Sequence, residues 1–318
     1  MQDKILEILR RKNEYASGEE ISESLKISRQ ALWKHIQELR DSGYDIVAVP
    51  HLGYQLAASP DKLLPAEIKH NLGTKLIAKN ISFFDAVPST NDVALNMGIE
   101  GAPEGTVVVA ETQTKGKGRL GRSWSSPKHK GIYFSLILRP KISPAQSPVI
   151  TLLVSSSICE AIKEVCGVEA KIKWPNDILL QNKKLGGILT EISAETDRVH
   201  FLVIGVGLNV NNEKNLSLPQ AISLKEVTQE HVSRLNLMQE ILRRIEQDYL
   251  TFQKEGSSAV INRWREYNST LGKRVKVTSD NGHLEGIAVD IDSDGGLLIR
   301  NDAGLIRKVM AGDVTHCR

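Results

Sequence analysis

Residues Lys115–Lys130 read KGKGRLGRSWSSPKHK, and the interpretation of this run decides the fold. It holds six Lys or Arg and no acidic residue, interleaved with Gly116, Gly118 and Gly121. Those glycines satisfy the G-x-G-x-x-G spacing of dinucleotide-binding folds, and the run ending Gly121-Arg122-Ser123 approaches a P-loop with Arg in the Lys position. Either motif requires a helix directly after the loop, so that its first amides meet the phosphate. Here Trp124-Ser125-Ser126-Pro127 interrupts any such helix, and the apolar run Ile132–Leu138 reads as a strand. A doubly wound nucleotide-binding sheet is thereby excluded. On charge alone the run is a solvated basic loop or a nucleic-acid patch; the glycine spacing favours a ligand, because it lets backbone amides approach an anion closely.

Outward from this loop, strand-like runs at Ile81–Val87, Thr106–Glu111, Ala170–Trp174, Gly187–Ser193 and Phe201–Val210 alternate with helical stretches near 90–98, 147–166 and 235–254. That alternation predicts an α+β domain on a mixed sheet. From Leu271 the pattern changes to short strands, with turn signals at Asn281-Gly282, Gly295-Gly296 and Ala303-Gly304, which predicts a small β-barrel. Toward the N-terminus, Ile5, Leu6, Ile8 and Leu9 open a helix, and Ser17 with Glu20 forms a capping box ahead of Ile21 and Leu25. Ser28 caps a third helix with Leu32, Ile36 and Leu39 as its buried stripe, ending near Gly43. Tyr44–Val49 and Tyr54–Leu56, joined through Pro50–Gly53, complete a winged helix-turn-helix. The proline-flanked stretch Ser59–Pro65 marks a boundary. The reading is an α+β multidomain chain with a winged helix over 1–60, the mixed-sheet domain over 65–268 and the barrel over 270–318.

The chain has 318 residues, 41% hydrophobic and 25% charged, a composition that excludes extended disorder. No segment approaches the roughly 20 apolar residues needed to cross a bilayer, and the N-terminal MQDKILEILRRKNE lacks a signal peptide's apolar centre, so a cytoplasmic location is expected. Cys159, Cys166 and Cys317 include no C-x-x-C pair, so neither a disulfide framework nor a zinc site is indicated. Cys159 and Cys166 read as buried helix residues. The net charge of +3 is modest, and residues 1–60 hold eight Lys or Arg against nine Asp or Glu. A DNA-binding reading of that segment rests on local pattern: Gln30, Lys34 and Gln37 point away from the buried stripe, Arg29 lies in the first turn, and Arg10, Arg11, Lys12, Lys26, Arg29, Lys34 and Arg40 are available to gather on one side. A small helical interaction module is the alternative.

Three further clusters fall at predicted strand ends. Ser89-Thr90-Asn91 offers hydroxyls and an amide at a helix start, although Ser89 or Thr90 taken singly is a cap. Gln113 follows the strand ending at Glu111. Lys173-Trp174-Pro175-Asn176-Asp177 joins a strand end, a fixed turn and a carboxylate, after which Lys184-Leu185-Gly186-Gly187 supplies a cation beside two glycines. Taken singly, Lys184 is a solvated turn lysine. Gly205, Gly207 and Asn209 in GVGLNV bring backbone and an amide close to a ligand, or mark a bulge.

Together these segments resemble a known family. GKGRLGRSW resembles the adenylate-binding loop of biotin protein ligases, and KWPND, KLGGIL and GVGLN resemble the family's other signature segments in the same order over about two hundred residues. With the N-terminal winged helix, the whole chain resembles the bifunctional type that joins a ligase to a biotin operon repressor, with an SH3-like C-terminal barrel. The resemblance implies activation of biotin by ATP to biotinyl-5′-AMP, then transfer to a lysine of biotin carboxyl carrier protein. It implies that Ser89, Thr90, Asn91, Gln113, Gly116, Lys117, Gly118 and Arg119 hold biotin or its adenylate, and that Lys184 bonds the carboxylate or acyl phosphate oxygen. Arg122 adds positive charge, Gly187 gives backbone approach, Trp124 walls the nucleotide, Asn209 lines the same pocket, and Asp177 positions the incoming lysine. Catalysis is thus expected from Lys184, Arg119 and Asp177, with Mg²⁺ arriving with ATP and no resident metal site. Ser28, Arg29, Gln30, Lys34 and Gln37 are the expected contacts to operator DNA, made by a homodimer that the adenylate favours. The competing readings are a lipoate or octanoate ligase, a ligand-sensing transcription factor without transfer chemistry, and a ligase whose N-terminal domain is vestigial.

Overall fold

Ser17 and Ser28 set the starts of the second and third helices. In the computed structural model, which describes residues 1–12, 14–213, 220–279 and 282–316, helix α1 (Gln2–Lys12) is followed by α2 (Gly18–Leu25) and α3 (Arg29–Asp41). Ser28 Oγ accepts from the Ala31 amide at 3.1 Å, satisfying one of the amides that a helix start leaves unpaired. Ser17 caps α2 through the Glu19 amide at 3.2 Å. The expected reciprocal bond from Glu20 is replaced by an ion pair of Glu20 with Lys12, at 2.5 Å. Leu32, Ile36 and Leu39 pack against Ile5, Leu6, Leu9 and Ile21, as the spacing predicts. Strands β1 (Asp45–Val49) and β2 (Gly53–Ala58) form the antiparallel wing. Gly53, at φ +111°, lies where a Cβ would come 2.1 Å from the Ala16 carbonyl oxygen. That approach allows Tyr54 and Ala16 to exchange backbone hydrogen bonds, anchoring the wing to the α1–α2 connection.

The chain divides into two compact units, Met1–Glu67 and Ile68–Arg318, and α4 (Pro65–Lys69) crosses the division. In the second unit β3 (Ile81–Phe84), α5 (Thr90–Ile99), β4 (Val107–Ala110), β5 (Gly131–Leu138) and α6 (Ser147–Cys166) are followed by β6 (Lys171–Lys173), β7 (Asp177–Leu180), β8 (Lys183–Ala194) and β9 (Val199–Asn209). Helices α7 (Leu224–Thr228), α8 (Arg234–Glu255) and α9 (Ser257–Tyr267) come next. The strands form one seven-stranded sheet in the order β3-β4-β5-β9-β8-β7-β6. β3 and β4 are parallel and every other pair is antiparallel. This is the expected mixed sheet. α5 covers one face, where Ala94 packs on Val108, Ile137, Phe201 and Val203. α6, α8 and α9 pack on one another, and α8 also meets β5. Burial of β4 and β5 along their whole length follows from this covering of both faces.

α6 spans the predicted 147–166 even though it carries the polar run Ser155-Ser156-Ser157 in its buried part. Each hydroxyl bonds a carbonyl of the preceding turn, at 2.8–3.0 Å, which satisfies it inside the helix. Cys159 is buried on the same helix and Cys166 half-buried; burial pushes both thiols up, Cys166 to about 11. Cys317 and Asn281 lie outside the described residues.

The C-terminal strands β10 (Arg274–Ser279), β11 (Gly282–Ile291), β12 (Leu297–Arg300), β13 (Ile306–Val309) and β14 (Asp313–His316) form an antiparallel sheet in the order β13-β12-β11-β10-β14. Gly295 and Gly304 turn with φ near +80°, the conformation that the turn signals require. Trp174 fastens this sheet to the larger one. It is 1% exposed, and its indole donates to the Gly295 carbonyl at 3.0 Å.

Candidate active site

Side-chain alternation along the sheet puts Gly187, Leu189, Gly205, Gly207 and Ser135 on the face shared with α5 (register pairs Gly187 with Gly207, Leu189 and Ser135 with Gly205). Three glycines in adjoining strands leave a bare floor, and neighbouring groups fill the space that side chains would take. A Cβ on Gly205 would lie 2.0 Å from Asn91 Oδ1, and one on Gly207 2.5 Å from the Trp124 ring. At the wall above this floor, Ser89 caps α5, with its Oγ accepting from the Asp92 amide at 3.5 Å. Gln113 Oε1 accepts from both the Thr90 amide (2.9 Å) and the Thr90 hydroxyl (3.1 Å), while Gln113 Nε2 donates to Ser126 Oγ at 3.0 Å. Asn91 donates to Glu191 at 2.7 Å and accepts from Ser135 at 2.6 Å. Its amide therefore binds α5 to the sheet.

The Lys115–Lys130 run folds back on itself as a hairpin-like excursion between β4 and β5. Gly118 donates to the Arg122 carbonyl (2.7 Å) and Trp124 to the Gly116 carbonyl (2.8 Å), with one 3₁₀ turn at Arg119–Gly121. No α-helix follows it before β5, as the sequence requires. Leu120 stands at φ 54° and is exposed. The base of the excursion is closed by Thr112 donating to the Ser126 carbonyl (2.6 Å) and by His129 bonded to the buried Glu111 (2.9 Å), which also meets the buried Arg234 at 2.8 Å.

Four cations of this site are tied to nearby acceptors. Lys184 Nζ donates to Asp177 at 2.5 Å across a bulge in the β7–β8 pairing and lies 5.8 Å from the Trp124 ring centre. Arg119 donates to Asn176 Oδ1 at 3.0 Å and the Gly312 carbonyl at 3.3 Å; Arg122 pairs with Asp313, and Lys117 with Asp92. Burial holds the Arg119 guanidinium below its ordinary value, against the pull of Asp313 and Asp177. The Lys117 ammonium is raised by its bond to Asp92. Together with the glycine floor and Ser89, Thr90 and Gln113, these groups line one cavity of about 840 Å³. The indole nitrogen of Trp124 is buried there without a hydrogen-bond partner.

Ser28 at the cap of α3 and Arg29, Gln30 and Lys34 on the helix are exposed, and Gln37 is half-exposed. Arg29 pairs with Glu19 at 2.8 Å. The expectation that seven basic side chains gather on one side is corrected here: Arg10 turns inward to Glu67, and Arg40 donates to the Ile46 carbonyl at 2.6 Å, stitching α3 to the wing.

Three family models match successive parts of the chain: an HTH domain over residues 2–55, the biotin/lipoate A/B protein ligase family over 83–209 and a biotin protein ligase C-terminal domain over 270–316. The bifunctional ligase/repressor BirA of Bacillus subtilis is 39% identical over 95% of this chain and 94% of its own length. The chain belongs to the bifunctional ligase/repressor family. Another member, from Escherichia coli, is 33% identical over 95% of the chain and 93% of its own. Among solved structures, a biotin protein ligase from Aquifex aeolicus in complex with biotin and ATP superposes with a TM-score of 0.65 and 31% identity, over 76% of this chain and 99% of that one.

Of the residues expected at the ligase site, Ser89, Thr90, Asn91, Gln113, Lys117, Gly118, Arg119, Arg122, Trp124, Asp177, Lys184 and Gly187 all line the cavity. Gly116 and Asn209 are not among its lining residues. Gly116 lies beneath the loop, where a Cβ would meet the Trp124 carbonyl at 2.5 Å, and Asn209 lies further along β9, donating to the Ile222 carbonyl at 3.2 Å. The lining also includes Asn176 and Asp313, to which the sequence reading gave no role. Asn176 was visible inside the KWPND motif. Asp313 is 191 residues from its partner Arg122, and nothing local marks it.

Proposed function

We propose that the chain is an ATP-dependent biotin–[acetyl-CoA-carboxylase] ligase that also represses transcription through its N-terminal unit. In the first step a biotin carboxylate oxygen bonds the α-phosphorus of ATP, and the bond to the departing pyrophosphate breaks. In the second, the amine of an acceptor lysine bonds the acyl carbon, the acyl–phosphate oxygen bond breaks, and AMP leaves as the amine loses a proton. The observation that carries the reading is the convergence of Lys117, Arg119, Arg122 and Lys184 over a glycine floor in one cavity. Two unit charges about 4 Å apart repel by roughly 4 kcal/mol at an effective dielectric near 20, so both anionic reactants need such a group of cations.

In this reading Ser89, Thr90 and Gln113 hold the uncharged end of biotin. Gln113 uses one amide hydrogen on Ser126 and keeps the other for the ligand. Lys184 exchanges Asp177 for the carboxylate and then the acyl phosphate oxygen, leaving Asp177 to receive the acceptor amine. Arg119 and Arg122 exchange Gly312 and Asp313 for phosphate oxygens, and Gly118 and Gly187 give the backbone close approach. Trp124 forms the wall, and Asn91 acts by fixing α5. Among the described residues no group of three or more His, Cys, Asp or Glu converges, and the lining carboxylates Asp177 and Asp313 are both paired. Mg²⁺ arriving with ATP would supply positive charge to the reacting phosphates, beside Lys117, Arg119, Arg122 and Lys184.

The same reading divides the chain into a DNA-binding part (1–60), a ligase part (65–268) and a C-terminal part (270–318). Biotinyl-5′-AMP acts as corepressor by favouring a homodimer that places two α3 helices on a palindromic operator, with Ser28, Arg29, Gln30, Lys34 and Gln37 as contacts. A cytoplasmic location belongs to this reading, and among the described residues no helix is long and apolar enough to cross a membrane. The test is transfer to a biotin carboxyl carrier domain in the presence of ATP and Mg²⁺, read with streptavidin. Biotin labels one lysine, lipoate gives no product, and absence of biotin transfer overturns the proposal.

A further inference from the structure

We infer that Trp33 reads the methyl group of a thymine in the major groove, an inference that rests on the repressor half of the function proposed above. The chain has four tryptophans. Trp174 and Trp264 are buried, and Trp124 lines the ligase cavity, whereas Trp33 is 57% exposed on α3. Gln30, Trp33, Lys34 and Gln37 follow the i, i+3, i+4, i+7 spacing of a single helix face, opposite the buried Leu32, Ile36 and Leu39. Among these four outward-facing residues the indole is the one large apolar group, set between polar side chains.

The side chains around Trp33 identify that partner. A glutamine amide matches the paired acceptor and donor of adenine, and a lysine matches the acceptors of guanine or a phosphate. Ser28 and Arg29 in the first turn add polar groups. Arg29 is held by Glu19 in an exposed ion pair, of the kind that costs little to open. A protein partner would need an apolar surround, which Gln30, Lys34 and Gln37 do not give. The apolar feature of the major groove is the thymine methyl, and the indole offers it a broad flat face together with one N–H donor for a base acceptor. Trp33 is thus a specificity-determining residue for A·T pairs, flanked by two glutamines that favour adenine.

The experiment uses the full-length protein with biotin, ATP and Mg²⁺ to select a site from a pool of random duplexes. Each thymine of that site is then replaced by 2′-deoxyuridine, which lacks the methyl. One thymine per half-site is expected at which the replacement weakens wild-type binding about fourfold while leaving Trp33→Ala unaffected. Trp33→Ala should ligate biotin at the wild-type rate, because its site lies on α3. Equal losses in the two proteins, or no sensitive thymine, would overturn the inference. So would a Trp33→Ala protein that changes its self-association but keeps its thymine discrimination. Recovery of no site at all defeats the repressor reading and the inference with it, an outcome distinct from a site that ignores the methyl.

Discussion

In the function proposed here, the cavity and the outer face of α3 both meet anions, and they are built in opposite ways. In the cavity, four cations converge over bare backbone, each held by an internal acceptor that a ligand can replace. On the N-terminal unit, positive charge is spread and largely turned to other uses: Arg10 and Arg40 brace the fold, and Lys12 and Arg29 pair with Glu20 and Glu19. The contrast teaches that the concentration of charge over exposed backbone, rather than the number of cations, distinguishes the first region. In the second, the proposed function has a modest number of side chains multiplied by two copies of the unit and by contacts to base edges.

Removal of one cation should therefore cost far more in the cavity than on α3. Lys184→Gln keeps a polar side chain, one atom shorter, and removes the charge that faces Asp177; pyrophosphate release on mixing with biotin and ATP should fall about 10²- to 10³-fold. A loss under threefold would erase the contrast. The floor gives a finer division. Gly207→Ala places a methyl 2.5 Å from the Trp124 ring, whereas at Gly187 the nearest atom is the flexible end of Lys184, 3.4 Å away. Calorimetry should show biotin affinity falling about tenfold for Gly207→Ala, of the order of overpacking a formed site, and less for Gly187→Ala. Equal effects would mean that Trp124 is not the wall. The smallest change is expected on α3: Lys34→Ala should weaken DNA binding and lower the slope of log K against log salt by about 1, with ligation unaltered. An unchanged slope would remove Lys34 from the phosphate contacts.

Much of this architecture was legible because its signals are local. Periodicity placed α6 at 147–166 and α3's stripe at Leu32, Ile36 and Leu39, and a glycine-basic run ending in Trp-Ser-Ser-Pro excluded a nucleotide fold with a helix after the loop. Strand β7 was hidden because Asp177–Leu180 begins on the last residue of the KWPND motif, and α9 because its short apolar face, Val260, Ile261 and Trp264, is sparse. Charge pairing was less legible still. Glu20 prefers Lys12 to a capping box, and Asp313 reaches Arg122 from the far end of the chain; both choices are made by tertiary proximity. Asn91 shows the same limit, since its position beside Thr90 marks a site but not that its amide is occupied by Glu191 and Ser135.

The central claim is that paired cations over a glycine floor let two repelling reactants meet and then shelter the product from water. Its most direct test is to mix the protein with biotin, ATP and Mg²⁺, pass it through a desalting column, denature it and identify the released ligand by mass. The account predicts close to one biotinyl-5′-AMP per chain from the wild type, and loss of that retained ligand from Arg119→Gly, which then labels bystander proteins. A wild-type protein that emerges with no adenylate, or an Arg119→Gly variant that retains it as well as the wild type does, would contradict the account.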